Sequence, residues 1–148
     1  MPTLAHAPTR AALLARLARL SPDTTPAWGR MTAPQVLAHL TDALRMAVGE
    51  LPCTPKRVPI ARRFPVKHLL LYVLPIPKGV PTAPELIART ADDWSAEQAR
   101  CAALVARFDP PLAPTAWPEH PFFGPLTGAQ WGHLAHKHMD HHLRQFGV

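Results

Sequence analysis

Apolar residues recur at every third or fourth position in four stretches of the chain, which is the spacing of amphipathic α-helices. Each stretch follows a Ser or Thr, residue types whose side chains bond the free N–H groups of a first helical turn. We predict helices over residues 9–20, 32–49, 95–108 and 127–145, with caps at Thr9, Thr32, Ser95 and Thr127. No alternation of period two indicates a β-strand.

The connections are rich in proline, which occurs 19 times in 148 residues, well above the average of about 5%. The prolines concentrate at 52–84 and 110–125, so stiff, irregular connections are predicted there. Within the first, we expect a short helix around 69–71 and one or two helical turns after Pro84. Four helices around one core predict an all-α four-helix bundle, and the length fits a single domain over 1–148.

The formal charge is +6, from 16 basic and 10 acidic residues. One local concentration stands out, formed by Lys56, Arg57, Arg62, Arg63 and Lys67. Such a patch can attract anions, but a solvated basic loop is the favoured interpretation. No helix-turn-helix, finger or other DNA-reading motif is present, so nucleic acid is not an expected partner.

Cysteine usage and hydropathy indicate a cytoplasmic location. Cys53 and Cys101 match no zinc-ribbon spacing and, without a secretory signal, are predicted to be free thiols in a reducing compartment. The longest apolar run covers 69–74, far below the roughly 18 residues that span a bilayer. We therefore expect no membrane partner.

Histidines carry the candidate chemistry, and five of the nine fall between 133 and 142. His138 and His142 are four apart, so on a helix their imidazoles share one face and can hold one metal ion. His39 lies on or beside the apolar stripe of the second helix. Taken alone, it is more typical of a hydrogen-bonded core residue. Together the three predict a metal held inside the bundle, with His141 as an alternative to His142.

Three neutral imidazoles leave a divalent ion with an open position, the style of a catalytic site. That position can hold water or a thiol. Zn²⁺, Ni²⁺, Fe²⁺, Co²⁺ and Mn²⁺ all accept imidazole, with Zn²⁺ or Ni²⁺ favoured. Asp42 and Gln145 are candidates to orient a ligand imidazole. His120 is the candidate catalytic acid or base, with a plain surface histidine as the equal alternative. His133 and His136 are predicted to be solvated.

Several segments resemble the DinB-like superfamily. The chain carries WGRMTAPQVLAHL at 28–40, PKGVPT at 77–82, HPFFGPLT at 120–127, Trp131 with Gly132, and KHMDHHLRQFG at 137–147. These resemble an uncharacterised branch, and the closing motif is quite specific. The resemblance implies an up-down-down-up four-helix bundle that binds a divalent metal through His39, His138 and His142. Related enzymes include thiol-dependent transferases and isomerases, and homodimers are common.

The expected function is therefore a metal-dependent enzyme acting on a small-molecule substrate, either as a transferase that uses a low-molecular-weight thiol or in a hydrolase-like reaction. The alternative is a non-catalytic metal-binding stress-response protein, in which the ion mainly holds the helices together. An accessible open coordination position favours the first, and a large loss of stability on chelation without turnover favours the second.

Overall fold

The computed structural model describes residues 1–56, 58–79 and 82–148. It contains four long helices: α1 (Ala7–Leu17), α2 (Ala33–Ala47), α3 (Trp94–Ala106) and α4 (Gly128–Gln145). Shorter helical pieces are an α-helical turn at Val66–His68, a π-helix at Leu69–Val73, and 3₁₀ turns at Pro59–Arg62, Pro84–Leu86 and Pro110–Leu112. The described part of the chain contains no β-strand, so the all-α prediction is confirmed. Arg57, predicted in the basic patch, and positions 80–81 of the 77–82 motif lie outside the described residues.

The two helices that carry the candidate ligands begin where the sequence predicted. The Thr32 hydroxyl accepts a hydrogen bond from the Gln35 N–H, while the Gln35 side chain accepts one from the Thr32 N–H. Thr127 and Gln130 form the same reciprocal pair at the start of α4. Each capping box satisfies two backbone donors that have no partner inside the helix, which fixes the first residue of α2 and of α4.

The predicted caps of the other two helices were wrong. Thr9 lies inside α1, which begins after His6 because Pro8 is accommodated without loss in a first helical turn. Ser95 lies inside α3, whose cap is Asp93: its carboxylate accepts a hydrogen bond from the Ala96 N–H at 2.9 Å. A carboxylate at this end also interacts favourably with the helix dipole.

Helix α2 lies at the centre of the core. It packs against α3 and α4, while α1 packs against α3 and α4. Its residues Val36, Leu37 and Leu40 are fully buried, and Met139 and Leu143 of α4 are equally inaccessible. Burial of each such side chain contributes about 1.5–3 kcal/mol. The α2–α4 contact is therefore a stable base for side chains projecting between the two helices.

The connection between α2 and α3 is positioned by long polar side chains. Lys67 donates to the Pro125 carbonyl, and the Arg62 guanidinium donates to the Pro121 carbonyl at 3.3 Å. Lys137 of α4 donates to the Leu70 carbonyl at 2.6 Å. These bonds place the connection beside the 120–125 loop and α4. None of the helices among the described residues combines the length and apolarity needed to cross a membrane.

Candidate metal centre

Three histidines from two helices meet between α2 and α4. His39 projects from α2, and His138 and His142 project from one face of α4, as their spacing predicts. Their ligand nitrogens all lie within 4.8 Å of one another, and the Nε2 atoms of His39 and His138 are 3.0 Å apart. Each pair of ring centroids is 4.8–4.9 Å apart. The three imidazoles therefore converge on one small volume.

The Leu86 carbonyl fixes the protonation of His39. This carbonyl lies 2.9 Å from Nδ1 of His39. A carbonyl only accepts hydrogen bonds, so Nδ1 carries the proton and donates it. In the neutral ring, Nε2 then presents a lone pair towards His138. Leu86 belongs to the 3₁₀ turn Pro84–Leu86, which gives this proline-rich connection a direct role in the site.

A second chain of hydrogen bonds fixes His142. The Gln145 side-chain N–H donates to the Trp28 carbonyl at 2.6 Å, which sets the orientation of the amide. The amide oxygen consequently faces Nδ1 of His142 at 2.8 Å. His142 donates from Nδ1 and keeps the Nε2 lone pair. The prediction that Gln145 orients a ligand imidazole agrees with this contact.

Glycine at position 29 allows this close approach. Gly29 has a φ of +84°, and a Cβ built there would lie 2.5 Å from the Gln145 side-chain nitrogen. A side chain at this position would therefore be strained and would also displace Gln145. Sequence reasoning noted Trp28 and Gly29 within a family-like motif but assigned them no role. Only the fold brings this segment beside the C-terminal end of α4.

The other candidate, Asp42, does not contact an imidazole. It is buried, and its carboxylate binds Arg89 through both oxygens, at 2.8 and 3.0 Å. Arg45 adds a third bond at 3.0 Å, and Arg89 also pairs with Glu97. The guanidinium geometry matches the carboxylate better than a ring N–H can. The prediction of an orienting role for Asp42 is therefore wrong, and the residue belongs to an ion-pair network between α2 and α3.

Burial keeps the three imidazoles neutral. It lowers the pKa of His39 and of His142, the latter to about 3. The pKa of His138 is held well below its ordinary value, first by burial and then by the neighbouring histidines. At pH 7 all three rings are uncharged and can offer lone pairs. The donor set, its convergence and the fixed Nδ1 protons fit a divalent ion of the zinc type, with at least one coordination position left for another ligand.

His120 lies in the loop before α4, with its ring against Phe123 and Trp131. Its Nδ1 accepts hydrogen bonds from the backbone N–H groups of Phe122 and Phe123 at 3.0 and 3.2 Å, so Nε2 carries the proton. Burial, followed by the charges of Lys67 and Arg62, lowers the pKa of His120 to about 4. The ring is therefore a neutral hydrogen-bond donor at pH 7. Its catalytic role stays a prediction.

The remaining histidines of α4 lie outside the converging group. His133 is buried, and its two nitrogens lie 2.9 and 3.0 Å from the carbonyls of Pro2 and Leu71, so the prediction of a solvated ring was wrong. His136 is also partly buried. His141 stands edge-on to Trp28 at 6.1 Å. The spacing alone could not distinguish these faces, because the connection from α2 to α3 covers a side of α4 that was expected to be open.

Comparison with known proteins agrees with this arrangement. No curated protein and no solved structure shows significant similarity to the chain. The sequence model of the DinB superfamily, however, matches residues 5–146. That range contains all four long helices and all three converging histidines. The chain belongs to the DinB superfamily.

Proposed function

We propose that this protein is a metal-dependent enzyme that holds one divalent ion through His39, His138 and His142 and acts on a small molecule. Zn²⁺ or Ni²⁺ is the favoured ion. Transfer to or from a low-molecular-weight thiol, or a hydrolase-like reaction, is the proposed chemistry. We also propose the up-down-down-up topology of related bundles, a cytoplasmic location and a homodimer.

The observation that carries the proposal is the fixed protonation of two converging rings. The Leu86 carbonyl and the Gln145 amide each take an Nδ1 proton, so both Nε2 lone pairs face the same volume. A neutral core histidine needs one partner for its N–H and one donor for its other nitrogen. Here the unprotonated nitrogens of His39 and His142 converge on a third imidazole, whose single N–H cannot satisfy both, and this favours a shared metal ion. Such partners on the far side of a ligand ring typically contribute 10–100-fold to metal affinity.

A bound divalent ion supplies a Lewis acid that makes a coordinated water or thiol nucleophilic near neutral pH. The residues of the chain hold and orient the reacting groups. The buried rings limit the access of bulk water, and His120 carries its proton on Nε2, where it can be donated. Its charge state affects the pKa of His138, which places the two rings within electrostatic range.

A purely structural ion is the second candidate. His39 and His138 belong to different helices and are separated by 99 positions in the chain, so an ion between them cross-links α2 to α4. This arrangement favours stabilisation as well as catalysis. The two functions differ in turnover: chelation lowers the melting temperature in both, but only the enzyme consumes substrate.

The first experiment measures metal content by mass spectrometry on untagged protein. We expect about one divalent ion per chain, lost in His39→Ala and His138→Ala and retained in His141→Ala. The last is the matched control, because His141 lies on the same helix outside the converging group. Absence of metal in the wild type after incubation with Zn²⁺, Ni²⁺, Mn²⁺ and Fe²⁺ would contradict both candidates.

The second experiment gives the metal-loaded protein small electrophiles together with a low-molecular-weight thiol, and esters in a separate assay. Loss of the thiol reports transfer, and release of the acid reports hydrolysis. Turnover that disappears on chelation supports the enzyme. A protein that holds its ion and loses thermal stability on chelation, yet shows no turnover across the panel, supports the structural role.

A further inference from the structure

The net charge of the molecule resides in one segment. Residues 51–84, called the basic segment below, contain no Asp or Glu and six basic residues: Lys56, Arg57, Arg62, Arg63, Lys67 and Lys78. The ten basic residues elsewhere are matched by the ten acidic residues of the chain. The formal charge of +6 is therefore the charge of this segment alone, and the rest of the molecule is formally neutral.

The same segment exposes large apolar side chains. Of the eight that are exposed among the described residues, five lie between positions 60 and 74: Ile60, Phe64, Leu69, Val73 and Leu74. Phe64 is 84% exposed, and Ile60 and Val73 are 65% and 60% exposed. Single exposed apolar residues are ordinary, but a concentration within fifteen residues marks an interaction surface.

The inner side of the segment is fixed to the rest of the protein. Ala61 and Leu71 are each only 1% exposed, and Tyr72 stacks on His133 with ring centroids 5.0 Å apart. The Leu71 carbonyl accepts from Lys137 at 3.2 Å. The outward apolar side chains are therefore presented by an anchored element, and they remain exposed although Ala61 and Leu71 of the same stretch are buried.

We propose that the basic segment is a peripheral docking site for a membrane surface rich in anionic phospholipid. Basic side chains are attracted to the negative surface potential, and Phe64, Ile60 and Val73 enter the boundary between headgroups and acyl chains. This departs from the expectation of no membrane partner, which rested on the lack of a spanning helix. Docking at a surface needs no such helix.

The combination of charge and apolar exposure favours lipid over a polyanion. Nucleic acid attracts basic side chains through its phosphates, and binding of that kind gains little from exposed aliphatic groups. Here exposed apolar side chains and basic side chains occur in the same short stretch, which is the combination found in elements that lie in a bilayer interface. A surface that combines negative charge with an accessible apolar layer satisfies both properties.

The test is cosedimentation of the full-length protein with vesicles. One set contains equal amounts of phosphatidylglycerol and phosphatidylcholine, and the other contains phosphatidylcholine alone. The apolar variant is Phe64→Ser with Val73→Ser, and the charge variant is Arg63→Gln. Matched controls are Leu112→Ser, since Leu112 is 55% exposed elsewhere, and Arg19→Gln, which removes an exposed charge two residues after α1.

We expect binding to the anionic vesicles only, weakened by 0.5 M salt. The apolar variant should reduce the partition coefficient at least about tenfold and Arg63→Gln about fivefold, with both controls within twofold of wild type. No binding to anionic vesicles, or equal binding to both vesicle types, would overturn the proposal. So would an apolar variant that binds like wild type while Arg63→Gln weakens binding to vesicles and to single-stranded DNA alike, because that result describes a general polyanion site.

Discussion

Helices α2 and α4 are joined by many fully buried side chains, whereas the basic segment is attached by a few buried side chains such as Leu71 and by long side chains that donate to backbone carbonyls. Leu37 and Leu143 are inaccessible to solvent. In the basic segment, Lys67 and Arg62 reach the 120–125 loop through hydrogen bonds, and Phe64 faces solvent. The first arrangement supports the three converging histidines on a well-packed base. The second keeps a surface available for contact, so one small fold separates a rigid site from an exposed one.

The largest expected effect is a loss of stability from a substitution in the buried core around α2. Leu37→Ala removes a fully buried side chain from the centre of α2, and we expect a loss of about 2–5 kcal/mol in the free energy of unfolding because the cavity cannot fully collapse. Phe64→Ala removes a larger side chain that is 84% exposed, and its cost should stay within about 0.5 kcal/mol. Denaturation by urea measures both.

Similar losses for the two variants would contradict the contrast between the regions. If Phe64→Ala proved as costly as Leu37→Ala, the basic segment would contribute to the core in a way that its exposure does not indicate. Metal-free protein is the proper sample, because a bound ion would mask part of the loss in both variants.

The next largest effect is a loss of metal affinity at the three converging histidines. Gly29→Ala places a Cβ 2.5 Å from the Gln145 side chain, so Gln145 must move and His142 loses the acceptor of its Nδ1 proton. We expect metal affinity to fall about 10–100-fold, measured by competition with a chromogenic chelator.

Gly49→Ala is the matched control for backbone strain. Gly49 has a φ of +85°, nearly that of Gly29, but a Cβ there meets nothing within 4 Å. We expect Gly49→Ala to reduce thermal stability while leaving metal affinity within about twofold of wild type. Equal losses of affinity in the two variants would mean that strain, and not the contact with Gln145, controls the site.

The sequence predicted the α2–α4 half of the molecule much better than the other half. The caps at Thr32 and Thr127 and the HxxxH spacing are local patterns, and they identified the starts of α2 and α4 and the pair His138 and His142. His39 was identified by its place on or beside the apolar stripe of α2 and by the resemblance. The roles of Leu86 and Trp28 were not predictable, since each acts through a backbone carbonyl whose position depends on the tertiary fold. The burial of His133 was missed for the same reason: a proline-rich connection without periodicity covers that face of α4.

The smallest expected effect is the pH dependence of stability that His120 contributes, in the loop where the basic segment contacts the rest of the protein. His120 lies in the loop that Lys67 and Arg62 contact, and its pKa of about 4 in the folded protein is below the ordinary value. In the unfolded chain His120 takes up a proton as the pH falls below about 6.5, whereas in the folded protein it does so only near pH 4. The free energy of unfolding therefore decreases as the pH falls from 6.5 towards 4. Between pH 6.5 and 5, this one group should remove about 1.5 kcal/mol.

His120→Asn isolates that contribution. The Asn oxygen can replace Nδ1 as acceptor for the Phe122 and Phe123 N–H groups, but Asn does not titrate. The free energy of unfolding of wild type minus that of His120→Asn should therefore decrease by about 1.5 kcal/mol between pH 6.5 and 5. A difference that stays constant would mean that the ring is solvated in solution.

A further variant, Lys67→Met with His120 intact, should weaken the pH dependence of the free energy of unfolding, because the Lys67 charge helps to lower the pKa of His120. An unchanged slope would show that the basic segment and the loop before α4 are electrostatically independent.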